Sequence, residues 1–369
     1  MHAPYQSDKE SHLQTPNTTS AGHRGADSDE IIAAVAVPGD MGFGHTSHDS
    51  TVGSRSVPNS TPTRSEASLD RVPDQLLEDI ALFLPRERAG MTTSLRSRLA
   101  EPGALVALGA HDGLTARIAE RAGVEAVYHG GYALAAHHFA LPDVGLVGRA
   151  EVVESVRRMR AATELPIIVD ADTGYGSEAS VWLTTRELEA AGANAVQIED
   201  QVSPKRCGHM EGKEVIPAAE MTLKVRAAVA ARRSDETLII ARTDALQVTG
   251  LDDAISRCNA YAGAGADLVF VDAPRTREEY AAIGERCSVP GVANMSETGR
   301  SPAIPTSDLE AMGYALVIFP STQTWLFAKA YAELCDAVVR DRTTASLADR
   351  FMSFDDVNDL LGLAEWRSR

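Results

Sequence analysis

Val169-Asp-Ala-Asp-Thr-Gly-Tyr-Gly176 and Ile198-Glu-Asp-Gln-Val-Ser-Pro-Lys-Arg-Cys-Gly-His209 are the two segments that decide how the chain is read. Each leaves a short apolar run, Ile167 to Val169 and Ala195 to Ile198, and sets carboxylates where the run stops: Asp170 and Asp172 after the first, Glu199 after the second. On a strand, residues two apart point to the same side. Gly174 and Gly176 let the backbone turn or approach a ligand. Two accounts of the Asp pair are open, solvated acids capping a strand end or ligands of Mg²⁺, which takes one or two carboxylates and completes its shell with water and substrate oxygens. Glu199, arriving from the neighbouring strand, favours the metal. The second segment runs into a loop that ends near Pro217, and a loop of that length on a compact body is commonly a lid. Lys205, Arg206 and a protonated His209 would favour the thiolate of Cys207. That makes Cys207 a candidate acid, base or nucleophile, whereas Cys258, Cys287 and Cys335 sit in apolar segments as ordinary small hydrophobes.

Outward from these segments the pattern repeats. Apolar runs rich in β-branched residues recur at Ala104 to Leu108, Ala126 to Tyr128, Ile167 to Val169, Ala195 to Ile198, Leu238 to Ala241, Leu268 to Val271, Val289 to Ala293 and Leu316 to Phe319. Helical spacing fills the intervals at Glu151 to Ala162, Ser180 to Ala191, Ala218 to Arg232, Leu251 to Ala262, Arg277 to Cys287 and Thr306 to Met312. Eight strands alternating with helices predict an α/β chain closed as a (β/α)₈ TIM barrel. A doubly wound open sheet is second choice, because no Gly-x-Gly-x-x-Gly turn follows the first strand. A barrel places its chemistry where strands end. There the chain carries Gly130-Gly131-Tyr132, Asp170 and Asp172, Glu199-Asp200, Arg242-Thr-Asp244, Asp272, Asn294 with Glu297, and Ser321-Thr322. Arg242 ends an apolar strand, where its charge needs an anion: a substrate carboxylate, or an ion pair with Glu199 or Asp272. His129, His137 and His138 flank the second loop as possible bases or as packing residues.

The barrel is expected over 94–369. Residues 1–73, rich in Ser, Thr, Gly, Pro, Asp and His without apolar period, read as a disordered polar tail, and 74–93 as a short helical linker. A formal net charge of -17 argues against nucleic acid or an anionic membrane as partner and leaves a small anionic substrate drawn by local positive charge. The longest N-terminal apolar run, Ile31 to Val37, is about a third of the roughly 20 residues that span a bilayer. The four cysteines are widely spaced without a Cys-x-x-Cys pair, which fits a reduced, cytoplasmic setting.

Asp170-Ala-Asp-Thr-Gly-Tyr-Gly, Ile198-Glu-Asp-Gln-Val, Lys205-Arg-Cys-Gly-His, Ala241-Arg-Thr-Asp-Ala, Leu141-Pro-Asp-Val-Gly and Asn294-Met-Ser-Glu, in whatever register they pack, together resemble the isocitrate lyase and phosphoenolpyruvate mutase superfamily. The likeness runs from about Ser94 to Trp366 and is strongest to methylisocitrate lyases and the 2-alkylmalate lyase and oxaloacetate hydrolase group. It implies a barrel whose last helix is exchanged between subunits of a dimer of dimers. It implies Mg²⁺, or Mn²⁺, held by Asp170, Asp172 and Glu199 largely through water, with Asp143 nearby. It also implies a 2-oxo acid moiety lying on Gly130 and Gly131 with Arg242 on its carboxylate, and Cys207 as the donor that protonates the carbanion left by cleavage. Tyr132, Lys205, Arg206, Gly208, Asp272, Asn294, Glu297 and Ser321 complete the expected substrate contacts; Tyr128, His129 or a water on the ion are the candidates for the base, with His209 beside the acid.

Three departures touch specificity. Gly130-Gly131-Tyr132-Ala133 stands where methylisocitrate lyases have Ser-Gly-Gly-Gly, and His137-His138 follows it. Asp272 replaces a glutamate, and the last loop reads Phe319-Pro-Ser-Thr-Gln-Thr-Trp325. The reaction implied is cleavage of a 2-hydroxy di- or tricarboxylate, of methylisocitrate or 2-alkylmalate type, into a 2-oxo acid and a second carboxylic acid. Oxaloacetate hydrolysis or decarboxylation, and phosphonate chemistry, are alternatives on the same platform. A non-catalytic metabolite-binding barrel is the alternative of another class, and the full set of Asp170, Asp172, Glu199, Cys207 and Arg242 speaks against it.

Overall fold

In the computed structural model, eight parallel strands close on themselves in chain order: β1 (Leu105–Gly109), β2 (Ala126–His129), β3 (Ile167–Asp170), β4 (Ala195–Glu199), β5 (Leu238–Thr243), β6 (Leu268–Val271), β7 (Gly291–Asn294) and β8 (Tyr314–Phe319), with β8 paired to β1. Described are residues 94–208, 210, 212–299 and 301–368. The tail and linker expected before position 94 lie outside the described residues, as does His209. Among the described residues no helix is long and apolar enough to cross a membrane.

Strand alternation sorts the side chains into two apolar layers. Leu105, Ala107, Tyr128, Ile168, Leu238, Ile240, Phe270, Leu316 and Ile318 fill the barrel interior. Val127, Ile167, Val169, Val196, Ile198, Ile239 and Ala241 point outward and meet the helices. The helices are α1 (Leu95–Leu99), α2 (Gly113–Arg121), α3 (Gly131–Phe139), α4 (Arg149–Ala162), α5 (Glu178–Ala191), α6 (Ala218–Ala231), α7 (Leu251–Gly263), α8 (Arg277–Arg286), α9 (Thr306–Ala311), α10 (Thr322–Asp341), α11 (Phe354–Leu360) and α12 (Leu363–Arg367). Capping boxes start two of them, Asp112 with Thr115 on α2 and Thr276 with Glu279 on α8.

The expected strands match the observed ones to within one or two residues. β7 starts at Gly291 rather than Val289, since Pro290 has no N–H to give the ladder and contributes only its carbonyl, to Val269. The stretch after β2 differs more. Gly131–Phe139 is a helix where the sequence suggested a loop, because Ala, Leu and Phe fill its turns and the preceding Gly130 supplies an extended cap. The long helix after β8, α10, leaves Leu326, Phe327, Tyr331, Val338 and Val339 exposed.

Gly284 on α8 lies under the α9–β8 connection so closely that a Cβ would stand 1.7 Å from the Met312 carbonyl oxygen. Gly284→Ala is therefore expected to destabilise the barrel by about 1–3 kcal/mol, as overpacking does. A fall of several degrees in melting temperature would register it; an unchanged melting temperature would contradict the contact.

Candidate active site at the carboxyl end of the barrel

A cavity of about 240 Å³ opens where the strands end. Its lining combines charged residues, Asp143, Asp170, Lys205, Arg242 and Asp272, with the apolar and aromatic Tyr132, Met210, Phe270, Ile318, Pro320 and Trp325. Of the other residues expected at the site, Tyr128, Gly130, Gly131, Cys207, Gly208, Asn294 and Ser321 line it as well. Asp172 and Glu199 are buried but are not among its lining residues. Arg206 and Glu297 do not line it: both are exposed, and Glu297 accepts a hydrogen bond from Thr322 at 2.5 Å.

The acid cluster is built on β3 and β4. Asp172 takes a left-handed backbone, φ 48°, which turns the chain so that its N–H donates to Asp170 Oδ1 at 3.1 Å. Lys205 Nζ reaches in from the loop to Asp143 Oδ1 at 2.5 Å and Asp172 Oδ1 at 2.8 Å. Burial pushes the Asp172 carboxyl up to about 7 despite Lys205, with Asp170 and Asp143 adding to the rise. Burial likewise raises Glu199 well above the carboxylate range, against the pull of Arg242. Glu199 Oε1 is buried without a hydrogen-bond partner. Buried hard oxygen donors whose charges are disfavoured where no cation meets them, one of them orphaned, suit a divalent ion. Among the described residues no three His, Cys, Asp or Glu side chains close into a direct ligand cage.

Arg242, on β5 and opposite Glu199 in the ladder, anchors the second cluster. Its Nε and Nη2 fork onto Asp244 at 2.9 and 3.0 Å, with Glu199 at 3.2 Å and Asp272 at 3.3 Å, and its guanidinium lies 5.2 Å from the Phe270 ring centre. Both the ion pairs and a place on the cavity wall are thus realised. Burial opposes the charge on Asp244, yet Arg242 and Lys213 hold its carboxyl far below the usual range.

Sequence reasoning missed Lys213, and it named Asp200 at the end of the fourth strand without giving it a role. Lys213 Nζ donates to the Gly208 carbonyl at 2.7 Å and to Asp244 at 2.8 Å, and lies 3.2 Å from Asp272. Asp200 faces outward, taking hydrogen bonds from Thr243, Tyr261, Arg257 and the Asp244 N–H, and so fixes the β5 end from behind. The adjacent Glu199-Asp200 pair, on opposite faces of one strand, was the available signal for Asp200; Lys213 gave none beyond being a lone cation at the far end of the loop.

The loop leaves β4 and returns through a neck at the Gln201 and Val215 bridge, with Val202 N–H on the Glu214 carbonyl at 2.8 Å. Gln201 braces it from within, accepting from Arg206 N–H and donating to the Arg206 carbonyl, both at 2.9 Å. Cys207 N–H donates to the Asp143 carbonyl at 3.1 Å, which sets the thiol at the cavity wall.

Two candidates for the base are placed otherwise than expected. His129 follows Tyr128 on β2 and so points out of the barrel, where its Nε2 lies 2.9 Å from Ser155 on α4. Burial drops its imidazole to about 4, keeping it neutral behind the sheet. Tyr128 faces the cavity, and burial, with Asp170, holds its phenol well above the normal value. His137 and His138 pack away from the cavity: His137 stacks on His111 at 3.5 Å between ring centres and lies 3.2 Å from Thr324, and His138 Nε2 meets the His111 carbonyl at 2.8 Å.

The barrel, its buried acids and the cysteine loop define an enzyme of the (β/α)₈ class. Residues 95–339 match the family described as phosphoenolpyruvate phosphomutase. The chain is 42% identical to 2,3-dimethylmalate lyase of Eubacterium barkeri, over 74% of this chain and 94% of that protein. It is 39% identical to 2-methylisocitrate lyase of Aeropyrum pernix, over 77% of this chain and 91% of that one. A crystal structure of phosphonopyruvate hydrolase in complex with oxalate and Mg²⁺ superposes with a TM-score of 0.68 at 29% identity, covering 74% of this chain and 95% of that chain. The chain therefore belongs to the phosphoenolpyruvate mutase/isocitrate lyase superfamily, and within it is a carbon–carbon lyase.

Asp244→Asn removes the carboxylate shared by Arg242 and Lys213. Breaking a buried pair of this kind is expected to cost about 3–5 kcal/mol. Urea unfolding measures it, and a loss below 1 kcal/mol would mean the two cations re-pair elsewhere.

Proposed function

We propose that the enzyme cleaves a 2-hydroxy dicarboxylate bearing alkyl substituents, of the 2-alkylmalate type, into a 2-oxo acid and a second carboxylic acid. The observation that carries this is the mixed lining of the cavity: carboxylates and cations together with apolar and aromatic side chains, among which Tyr132 and Trp325 meet at 5.1 Å between ring centres. An alkyl group gains by burial against such side chains, whereas a third carboxylate would lose its water there.

Asp170, Asp172 and Glu199, with Asp143, are the residues that would hold Mg²⁺, which when bound supplies Lewis-acid stabilisation to the 2-oxo acid as it forms. The first turn of α3, with Gly130 as its cap and no side chain satisfying its N–H groups, faces the cavity and suits a carboxylate. Tyr128 donates to a substrate oxygen. The 2-hydroxyl loses its proton toward the acid cluster, the C2–C3 bond breaks with its electrons remaining on C3, and the Cys207 thiol delivers the proton that C3 requires. The loop over the cavity keeps water from that carbanion.

With Mg²⁺ present, 2,3-dialkylmalates are expected to release a 2-oxo acid faster than 2-methylisocitrate, oxaloacetate or phosphonopyruvate, and chelation with EDTA should stop turnover until Mg²⁺ or Mn²⁺ is returned. Cys207→Ala should lower kcat by roughly 10²–10⁴, the span of general acid catalysis, with KM little changed. Turnover of phosphonopyruvate alone would overturn the assignment.

We further propose a homo-oligomer, supported by the exposed Leu326, Phe327, Tyr331 and Val339 of α10. Light scattering should return a multiple of 39.3 kDa; a monomer at micromolar concentration would refute it.

A further inference from the structure

The cysteine loop is held down by two ammonium groups that grip different acids. Lys205 is bound to Asp143 and Asp172, both in the set proposed for the ion. Lys213 is bound to Asp244 and Asp272, which lie outside that set, and its third partner is the carbonyl of Gly208, the residue after Cys207. Its side chain is 1% exposed, so these three acceptors replace its water. At Gly208 the backbone comes so near the wall that a Cβ would stand 2.1 Å from Asp272 Oδ2 and 2.6 Å from Arg242 Nη2. Loop backbone, Lys213 and the Asp244 and Asp272 carboxylates thus form one continuous contact.

We propose that Lys213 is a positioning residue: it straps the loop to Asp244 and Asp272 and thereby sets where the Cys207 thiol stands over the cavity. The role as donor rests on the reaction proposed above; the strap itself does not. Lys213 itself shares no acid with the proposed ion site; Arg242, which pairs with Glu199, touches the same Asp244 and Asp272. Without the ammonium, Gly208 loses its donor and Asp244 and Asp272 keep only Arg242 between them, so the loop loses its hold on this wall while Lys205, the Cys207 N–H on the Asp143 carbonyl and the Gln201 and Val215 neck remain.

The test compares Lys213→Met with Lys213→Arg, and Lys213→Gln stands in should Lys213→Met not fold. In the free enzyme, alkylation of Cys207 by iodoacetamide, followed on the Cys207 peptide by mass spectrometry, is expected to quicken at least tenfold in Lys213→Met and to return to within threefold of wild type in Lys213→Arg. During turnover in D₂O, kcat should fall by about 10²-fold, the cost of a misplaced group, with KM within threefold. The deuterium placed at C3 should lose its single configuration as solvent replaces the thiol. A structural role alone would not scramble that configuration. Alkylation and kcat within twofold of wild type in Lys213→Met or its stand-in, or equal impairment in Lys213→Arg, would overturn the proposal. The alkylation arm needs no substrate, so it fails or holds separately from the assigned reaction.

Discussion

Charge buried at one end of the barrel is the constraint on which the rest of the structure depends. Among the described residues, Asp143, Asp170, Asp172, Glu199, Asp200, Asp244 and Asp272 are all buried there, and the four cations paired with them are Lys205, Lys213, Arg242 and Arg257. Isolated charges in such a place would cost several kcal/mol each, so each cation is shared between acids, and the excess carboxyls, Asp172, Glu199 and Asp200, are pushed up by burial. The loop's shape follows from the same shortage: two of the four cations come from it, and supplying them folds it over the cavity. An acid-rich protein of net charge -17 thus draws an anionic substrate through a few placed cations instead of an overall field.

Much of this was legible in the chain. The eight strands were, because interior and outward faces of a (β/α)₈ barrel are both apolar and each strand shows as an unbroken β-branched run. The acids and Arg242 were, since a charge at the end of such a run has to be explained. What stayed hidden depends on direction and distance. His129 differs from Tyr128 only by facing the other way on β2, and its partner Ser155 is contributed by α4. Lys213 looks like any loop lysine until β5 and β6 bring Asp244 and Asp272 under it. The helix at Gly131–Phe139 was obscured by its two leading glycines, which read as a loop although only the first lies outside the helix.

Two of the three departures from the methylisocitrate lyase pattern meet in one region, while the third, Asp272, sits with Arg242 and Lys213. Tyr132 and Trp325 pair on the cavity wall, while His137 and Phe327 meet on the far side of the same two helices, α3 and α10, at 5.0 Å between ring centres. The Tyr132 and Trp325 pair on the cavity wall is therefore backed by a second ring contact between the same two helices, away from the cavity. Exchanging Tyr132 or Trp325 singly disturbs that packing as well as the wall.

The pairing of Glu199 with Arg242 across β4 and β5 reaches beyond the active site. A slip of one residue would turn every side chain of a strand to its other face. It would carry Glu199 or Arg242 into the apolar layer of Val196, Ile198, Ile239 and Ala241 and break their pairing with each other. Assembly in the wrong register is penalised at the point where the chemistry is performed, so these two residues also act as a proofreading device for the folding barrel.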